Sequence, residues 1–182
     1  HADHIMGLDD CRRFCAINNH QPLPIYADSK TMNDLERVYS YAFKSKYTPG
    51  YFKPNPYIID GEFIIGDLKI TPFKQEHGNM GSLGFLFEQG NKKQLAYYND
   101  CKKVSLSAIN AAEGVELAIL DALRPTEHYS HMNLDEALTT AYEIGAKETL
   151  LTHLTDFYDH DRDSNNLPNK VLFAYDGLRR NI

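Results

Sequence analysis

Apolar runs of strand length recur along this chain of 182 residues, and their spacing constrains the fold more than any other feature. In the first half the runs follow one another closely, separated by Gly and charged residues, which predicts neighbouring strands. In the second half they alternate with segments of helical periodicity, which is typical of strand–helix units. The sequence therefore predicts a layered α/β sandwich. Strands are predicted at residues 23–27, 62–65, 68–73, 84–88, 94–98, 115–121, 149–154 and 171–175, and helices at residues 34–43, 105–112 and 134–144.

The helix at residues 134–144 has the clearest boundaries. Asn133 stands just before it and Glu136 follows three residues later, which is the pattern of a capping box. Gly145 is placed to end the helix in a left-handed conformation. Residues 47–57, by contrast, hold three prolines and a glycine, and this composition predicts a loop.

Composition excludes some classes of protein. The longest apolar runs are far shorter than the roughly 18 residues of a membrane span. A net charge of -6 disfavours a nucleic-acid coat, because the chain as a whole does not attract polyanions. Cys11, Cys15 and Cys101 show no paired spacing, which fits a reducing compartment better than a disulfide framework. We therefore expect a cytoplasmic protein.

Residues that can bind a transition metal are concentrated at the start of the chain and after predicted strands. Three of the first four residues are His or Asp, and three further candidates each follow a strand. Imidazole and carboxylate ligands suit zinc, manganese or iron better than calcium. Catalytic groups on α/β scaffolds gather at such strand ends, so the sequence predicts a metal site. The candidate ligands are His1, Asp3, His4, His77, Asp100 and His153.

These candidates occur in an ordered set of motifs. The order resembles that of the metallo-β-lactamase-fold hydrolases, and most of all the branch that includes phosphoribosyl 1,2-cyclic phosphate phosphodiesterase; ribonuclease Z is a more distant likeness. The resemblance implies a four-layer αββα sandwich, classed as α/β or in some schemes α+β, and a single domain over residues 1–182. The motifs are His-x-Asp-His at residues 1–4, His-Gly-Asn-Met-Gly at 77–81, Tyr-Asn-Asp at 98–100 and Thr-His at 152–153.

The family signature is His-x-His-x-Asp-His, and this sequence holds its last four positions from His1 to His4. We therefore expect the domain to be N-terminally incomplete, with the first strands and the first ligand His lying before His1.

The resemblance also implies two divalent metal ions, zinc or manganese. Two such cations lower the pKa of a bridging water and neutralise phosphate charge in the transition state. Asp3 then counts both as a ligand and as a catalytic residue. One metal would be held by the first family His with His1 and His77, the second by Asp3, His4 and His153, with Asp100 bridging the two.

A leaving group also needs a proton, and by resemblance His131 is the substrate-binding general acid. His131 lies just ahead of Asn133, and the alternative for it is a solvated loop histidine. His128 could pair with His131 or be exposed. Asp121, at the end of a predicted strand, could orient a ligand His by accepting its free N–H. Bases and aromatics at residues 43–53 could stack a nucleobase, or form an ordinary surface loop.

Three functions stay open on the sequence. The first is a metal-dependent phosphodiesterase that cleaves a small cyclic phosphate or nucleotide-like diester. The second is a ribonuclease Z-like endonuclease acting at the 3′ end of tRNA, and the third is a non-catalytic metal-binding module. We expect a small phosphate-ester substrate as partner and no membrane; nucleic acid is disfavoured by charge, and a homodimer is left open.

Overall fold

Two units make up the chain, His1–Asp60 and Gly61–Ile182. The computed structural model describes residues 1–43 and 50–182. Both units combine helices and strands, so the mixed α/β class predicted from the sequence is confirmed. Among the described residues, no helix has the length and apolar character that crossing a membrane requires.

The first unit begins with helical turns and contains a small parallel sheet. Strand β1 (Leu23–Ala27) pairs with β2 (Pro54–Ile58), and a cluster of Ala27, Met32, Leu35 and Tyr39 forms the core of the unit. The Tyr39 hydroxyl donates a hydrogen bond to the Ile5 carbonyl at 2.7 Å, which ties the core to the first turns. The elements are α1 (Ala2–Ile5), a 3-10 helix (Met6–Cys11), α2 (Arg12–Ile17), β1 (Leu23–Ala27), α3 (Ser29–Val38), α4 (Ser40–Phe43) and β2 (Pro54–Ile58).

Two predictions for this unit are wrong in part. The helix predicted at residues 34–43 begins earlier, because the Asp28 carboxylate accepts the Thr31 N–H at 2.7 Å and caps α3. It also breaks at Tyr39, whose backbone leaves the helical region, so α4 is separate.

The loop predicted at residues 47–57 is wrong from residue 54 onward, because those residues belong to β2 (Pro54–Ile58). Prolines 54 and 56 are tolerated there because β2 pairs with β1 alone in its two-stranded sheet. Residues 44–49 lie outside the described residues, and with them most of the predicted nucleobase-stacking segment.

The second unit is built on a seven-stranded sheet in which strand order follows chain order. The first three pairs of neighbouring strands are antiparallel and the last three pairs are parallel, so the fourth strand has one neighbour of each kind. Parallel neighbours need crossovers, and a helix supplies each one. The elements are β3 (Phe63–Ile65), β4 (Leu68–Gln75), β5 (Ser82–Gln89), β6 (Lys92–Tyr98), α5 (Leu106–Ala112), β7 (Leu117–Asp121), α6 (Leu134–Ile144), β8 (Glu148–Thr152), α7 (His160–Ser164) and β9 (Val171–Phe173).

Helix α6 has the boundaries that the sequence predicts. The Asn133 side chain accepts the Glu136 N–H and the Glu136 carboxylate accepts the Asn133 N–H, both at 2.9 Å, so the capping box is confirmed. Gly145 ends the helix with a φ of +60°. The short helix α7 was not predicted, because its five residues have no apolar periodicity.

Gly84 lies in β5 where a side chain has no room. A Cβ at this position would lie 2.6 Å from the ring of Tyr98, which is fully buried, and closer still to the Gln75 amide. We expect Gly84→Ala to lower the free energy of unfolding by about 1–3 kcal/mol, because overpacking a core forces its neighbours off their rotamers. Urea unfolding followed by circular dichroism measures the change.

Gly7→Ala is the control for Gly84→Ala, since a Cβ on Gly7 meets nothing within 4 Å. Equal stability losses in the two variants would contradict the packing explanation.

Candidate metal centre

Three neighbouring parallel strands of the second unit end at polar side chains. Asp100 follows β6, Asp121 is the last residue of β7, and His153 directly follows β8. Because the carboxyl ends of parallel strands meet at one edge of a sheet, the three side chains converge. Asp100 and His153 have φ values of +55° and +60°, which are uncommon for residues other than glycine. Such strained positions concentrate at functional sites.

The Asp100 carboxylate lies among three imidazoles. Its Oδ2 is 3.4 Å from His77 Nε2, and its Oδ1 is 3.6 Å from His131 Nδ1 and 3.9 Å from His153 Nε2. The structure therefore brings together His77, Asp100 and His153, the three predicted ligands of this unit, and adds His131 to them. Asp100, Asp121, His131 and His153 each present a possible ligand atom, and all four atoms lie within 4.8 Å of one another.

His77 is buried and its ring orientation is fixed. Its Nδ1 lies 2.9 Å from the Ser130 carbonyl oxygen. Because a carbonyl can only accept, Nδ1 carries a proton, and Nε2 is the ring nitrogen that faces the Asp100 carboxylate. His77 Nε2 and Asp100 Oδ2, 3.4 Å apart, are both atoms of the kind that bind zinc or manganese. The donor set therefore fits a divalent cation, with Ser130 as the outer partner that orients a ligand His.

Asp121 is fully buried and all its contacts are internal. Its Oδ2 accepts the Cys101 N–H at 2.9 Å and lies 2.7 Å from His131 Nδ1, and its Oδ1 accepts the Leu123 N–H at 3.1 Å. Burial raises the pKa of this carboxyl to about 7, partly offset by the two backbone donors. Both oxygens accept hydrogen bonds, and one of them holds the His131 ring; the sequence suggested that Asp121 would orient a ligand His in this way.

His131 is buried and packed against other imidazoles. Its ring stacks on that of His153 with the centroids 4.8 Å apart, and meets the His77 ring edge-on at 4.8 Å. The ring centroid of His128 lies 5.1 Å from that of His131. Burial, with the neighbouring charge of His131, lowers the pKa of His128 and favours its neutral form. His131 is thus held in place by its neighbours and is 9% exposed, unlike a solvated loop histidine.

The remaining predicted ligands lie at the start of the first unit. His1 precedes α1, and Asp3 and His4 lie within it, with His4 Nε2 3.4 Å from Asp3 Oδ2. All three are exposed. Asp3 and His4 line a cavity of about 450 Å³ together with Tyr26 and other residues of the same unit.

Sequence reasoning missed two contributors to the second unit's site. Ser130 acts through its main-chain carbonyl, which carries no side-chain requirement and so leaves no pattern. Ser82, at the start of β5, donates its hydroxyl to the Asp100 carbonyl at 2.8 Å, and nothing in the local sequence marks it.

Comparison with known proteins defines the family. The family described as "Beta-lactamase superfamily domain" matches residues 1–154, and the chain belongs to it. The fold is that of the metallo-β-lactamase-fold proteins, as the sequence predicted.

Two solved structures are particularly similar. A crystal structure described as a new diphosphatase from the PhnP family is 28% identical, with a TM-score of 0.87 over 100% of this chain and 68% of that one. The metallo-beta-lactamase fold protein YhfI from Bacillus subtilis is 25% identical, with a TM-score of 0.76 over 98% of this chain and 72% of its own.

Human tRNase Z, short form, shares the fold, with 18% identity and a TM-score of 0.69 over 98% of this chain and 74% of its own. A protein named octanoyltransferase from Porphyromonas gingivalis is 29% identical over 98% of this chain and 35% of its own length. The chain thus spans about a third of that relative.

Proposed function

We propose that this protein is a dinuclear metal-dependent hydrolase that cleaves a small cyclic phosphate or nucleotide-like phosphodiester. One observation carries the proposal. The partly buried Asp100 carboxylate lies 3.4 Å from Nε2 of His77 and 3.6 Å from a second histidine, His131, whose own orientation is set by Asp121. A cation site and an oriented proton donor are the two parts that hydrolysis of a phosphodiester needs.

Within the second unit, His77, Asp100 and His153 are the residues that would hold a cation. Zinc or manganese suits this mixture of imidazole and carboxylate. When bound, such ions supply a water of lowered pKa and offset the negative charge of a phosphate. The proposal also includes the roles that the family resemblance implies for the first unit. These are metal binding by His1, Asp3 and His4, and a catalytic role for Asp3.

His131 is the proposed general acid. Its Nδ1 donates to the buried Asp121 carboxylate at 2.7 Å, so Nε2 points away from Asp121 and is the atom that can give a proton to a leaving oxygen. The carboxylate stabilises the protonated ring before the transfer. An oxygen from water bonds to phosphorus as the bond to the leaving oxygen breaks; the leaving oxygen takes the Nε2 proton and becomes a hydroxyl group, and His131 is left neutral.

The relatives favour a phosphate substrate. The structure with the highest identity of the three solved structures is described as a diphosphatase, and a diphosphate and a phosphodiester both contain anionic phosphoryl oxygens and a P–O bond to be hydrolysed. Likeness to tRNase Z, at 18% identity, is one of fold. The name octanoyltransferase makes reaction at an acyl group the competing function. This chain covers 35% of that relative's length.

Hydrolysis of bis(p-nitrophenyl) phosphate by the purified protein tests the proposal. We expect activity with manganese or zinc, its loss on treatment with a chelator, and its return with either metal but not with calcium, which prefers all-oxygen ligands. The unfolding temperature should fall on chelation, because a ligand of the native state stabilises it by mass action.

Competing substrates separate the alternatives. A ribose cyclic phosphate and a dinucleotide diphosphate are the phosphate arms, an octanoyl thioester is the acyl arm, and a precursor tRNA is the RNA arm. Cleavage of the thioester without any phosphate ester would overturn the proposal. Tight metal binding without turnover of any arm would instead support the non-catalytic module.

A further inference from the structure

One peptide group next to the metal centre is held at both of its ends. Ser82 donates its hydroxyl to the Asp100 carbonyl oxygen at 2.8 Å, and the Asp121 carboxylate accepts the following N–H, that of Cys101, at 2.9 Å. These atoms belong to the same peptide unit. Ser82 begins β5 and Asp121 ends β7, and these are the two strands that flank β6 in the sheet. Side chains of both neighbouring strands therefore hold the peptide, and we call this pair of hydrogen bonds the clamp.

We propose that Ser82 is a positioning residue that holds the backbone of Asp100 in its left-handed conformation and thereby aims the Asp100 carboxylate at the histidines. The inference rests on the proposed function, since it treats Asp100 as a metal ligand. Ser82 itself contacts the peptide and not the reacting atoms.

The conformation of Asp100 explains why such a clamp is needed. At a φ of +55° a residue with a side chain occupies a region that L-residues adopt infrequently, although Asp tolerates it better than most. Backbone strain of this kind persists only where surrounding contacts over-determine it. The two hydrogen bonds fix the plane of the peptide after Asp100, and so fix its ψ angle and the direction of its side chain.

The surroundings of Ser82 direct its hydroxyl to this carbonyl. Gln75 pairs with Ser82 across β4 and β5, and its side-chain oxygen lies 3.5 Å from the Ser82 hydroxyl. A hydroxyl has one proton, and the Asp100 carbonyl at 2.8 Å is much the closer acceptor. Gln75 is buried, so it limits the room in which the hydroxyl can rotate.

Ser82→Ala removes one end of the clamp and leaves every proposed ligand in place. We expect its affinity for zinc or manganese to fall by about tenfold, because outer partners of metal ligands typically contribute about 10- to 100-fold. In the metal-free protein, amide hydrogen exchange at Cys101 should become faster, since its N–H is no longer held by a fixed peptide plane. Ser82→Thr keeps the hydroxyl on a residue that suits a strand, and should restore both properties.

Competition with a chromophoric chelator gives the metal affinity, and exchange by mass spectrometry or NMR gives the protection of Cys101. Ser107→Ala is the matched control, because Ser107 is exposed on α5. Wild-type exchange at Cys101 in Ser82→Ala would overturn the proposal, as would an unchanged metal affinity. Failure of the wild-type protein to bind either metal would contradict the proposed function, and exchange at Cys101 would then still decide whether Ser82 holds the peptide.

Discussion

Replacing Asp100 by alanine should lower metal-dependent hydrolysis by more than about a hundredfold. Loss of an outer partner of a ligand already costs about 10- to 100-fold, and Asp100 is proposed as a ligand itself. Its two oxygens lie 3.4 Å, 3.6 Å and 3.9 Å from the nearest nitrogens of His77, His131 and His153. Steady-state kcat/KM with added manganese and the metal content of the purified variant are the measurements.

Two further variants distinguish chemistry from folding. Asp100→Asn keeps the size of the side chain and removes its charge, so we expect nearly the same loss of bound metal. Asp176→Ala removes an exposed carboxylate of the same unit and should leave activity unchanged. An Asp100→Ala protein that keeps its metal and its activity would contradict the site, provided that its unfolding temperature without metal matches that of wild type.

The sequence predicted those candidate ligands that follow the ends of strands. Asp100 and His153 follow apolar runs of strand length, and such runs in a parallel sheet deliver their carboxyl ends to one edge. The structure places the two residues after β6 and β8, the strands on either side of β7. The same pattern predicts His77, which lies two residues after the end of the long strand β4.

Main-chain partners could not be predicted from side-chain patterns. The Ser130 carbonyl that orients His77 and the peptide between Asp100 and Cys101 belong to the backbone, which every residue supplies. The sequence also could not settle whether His131 is solvated, because that depends on Asp121 and three other imidazoles meeting it in space. Pro54 and Pro56 led to the prediction of a loop where β2 lies. Proline destabilises a strand by removing a hydrogen-bond donor, and the effect depends on how many neighbouring strands need that donor.

His131→Ala should slow the reaction most for substrates with poor leaving groups. General acid catalysis contributes typically about 10²- to 10⁴-fold, and an alcohol that leaves from a cyclic phosphate needs the whole of it. p-Nitrophenolate is a stable anion and needs little help, so hydrolysis of bis(p-nitrophenyl) phosphate should fall much less. The comparison of kcat for the two substrates is the measurement, and the metal content of the variant should match that of wild type.

Substitution of Asp121 tests whether this residue acts through His131. If it acts by holding His131, Asp121→Asn should show the same dependence on leaving group, and the double variant should be no slower than His131→Ala alone. Equal losses for both leaving groups in His131→Ala, accompanied by loss of metal, would instead identify His131 as a ligand. The 2.7 Å contact would then orient that ligand, and the proton for the leaving oxygen would have to come from elsewhere.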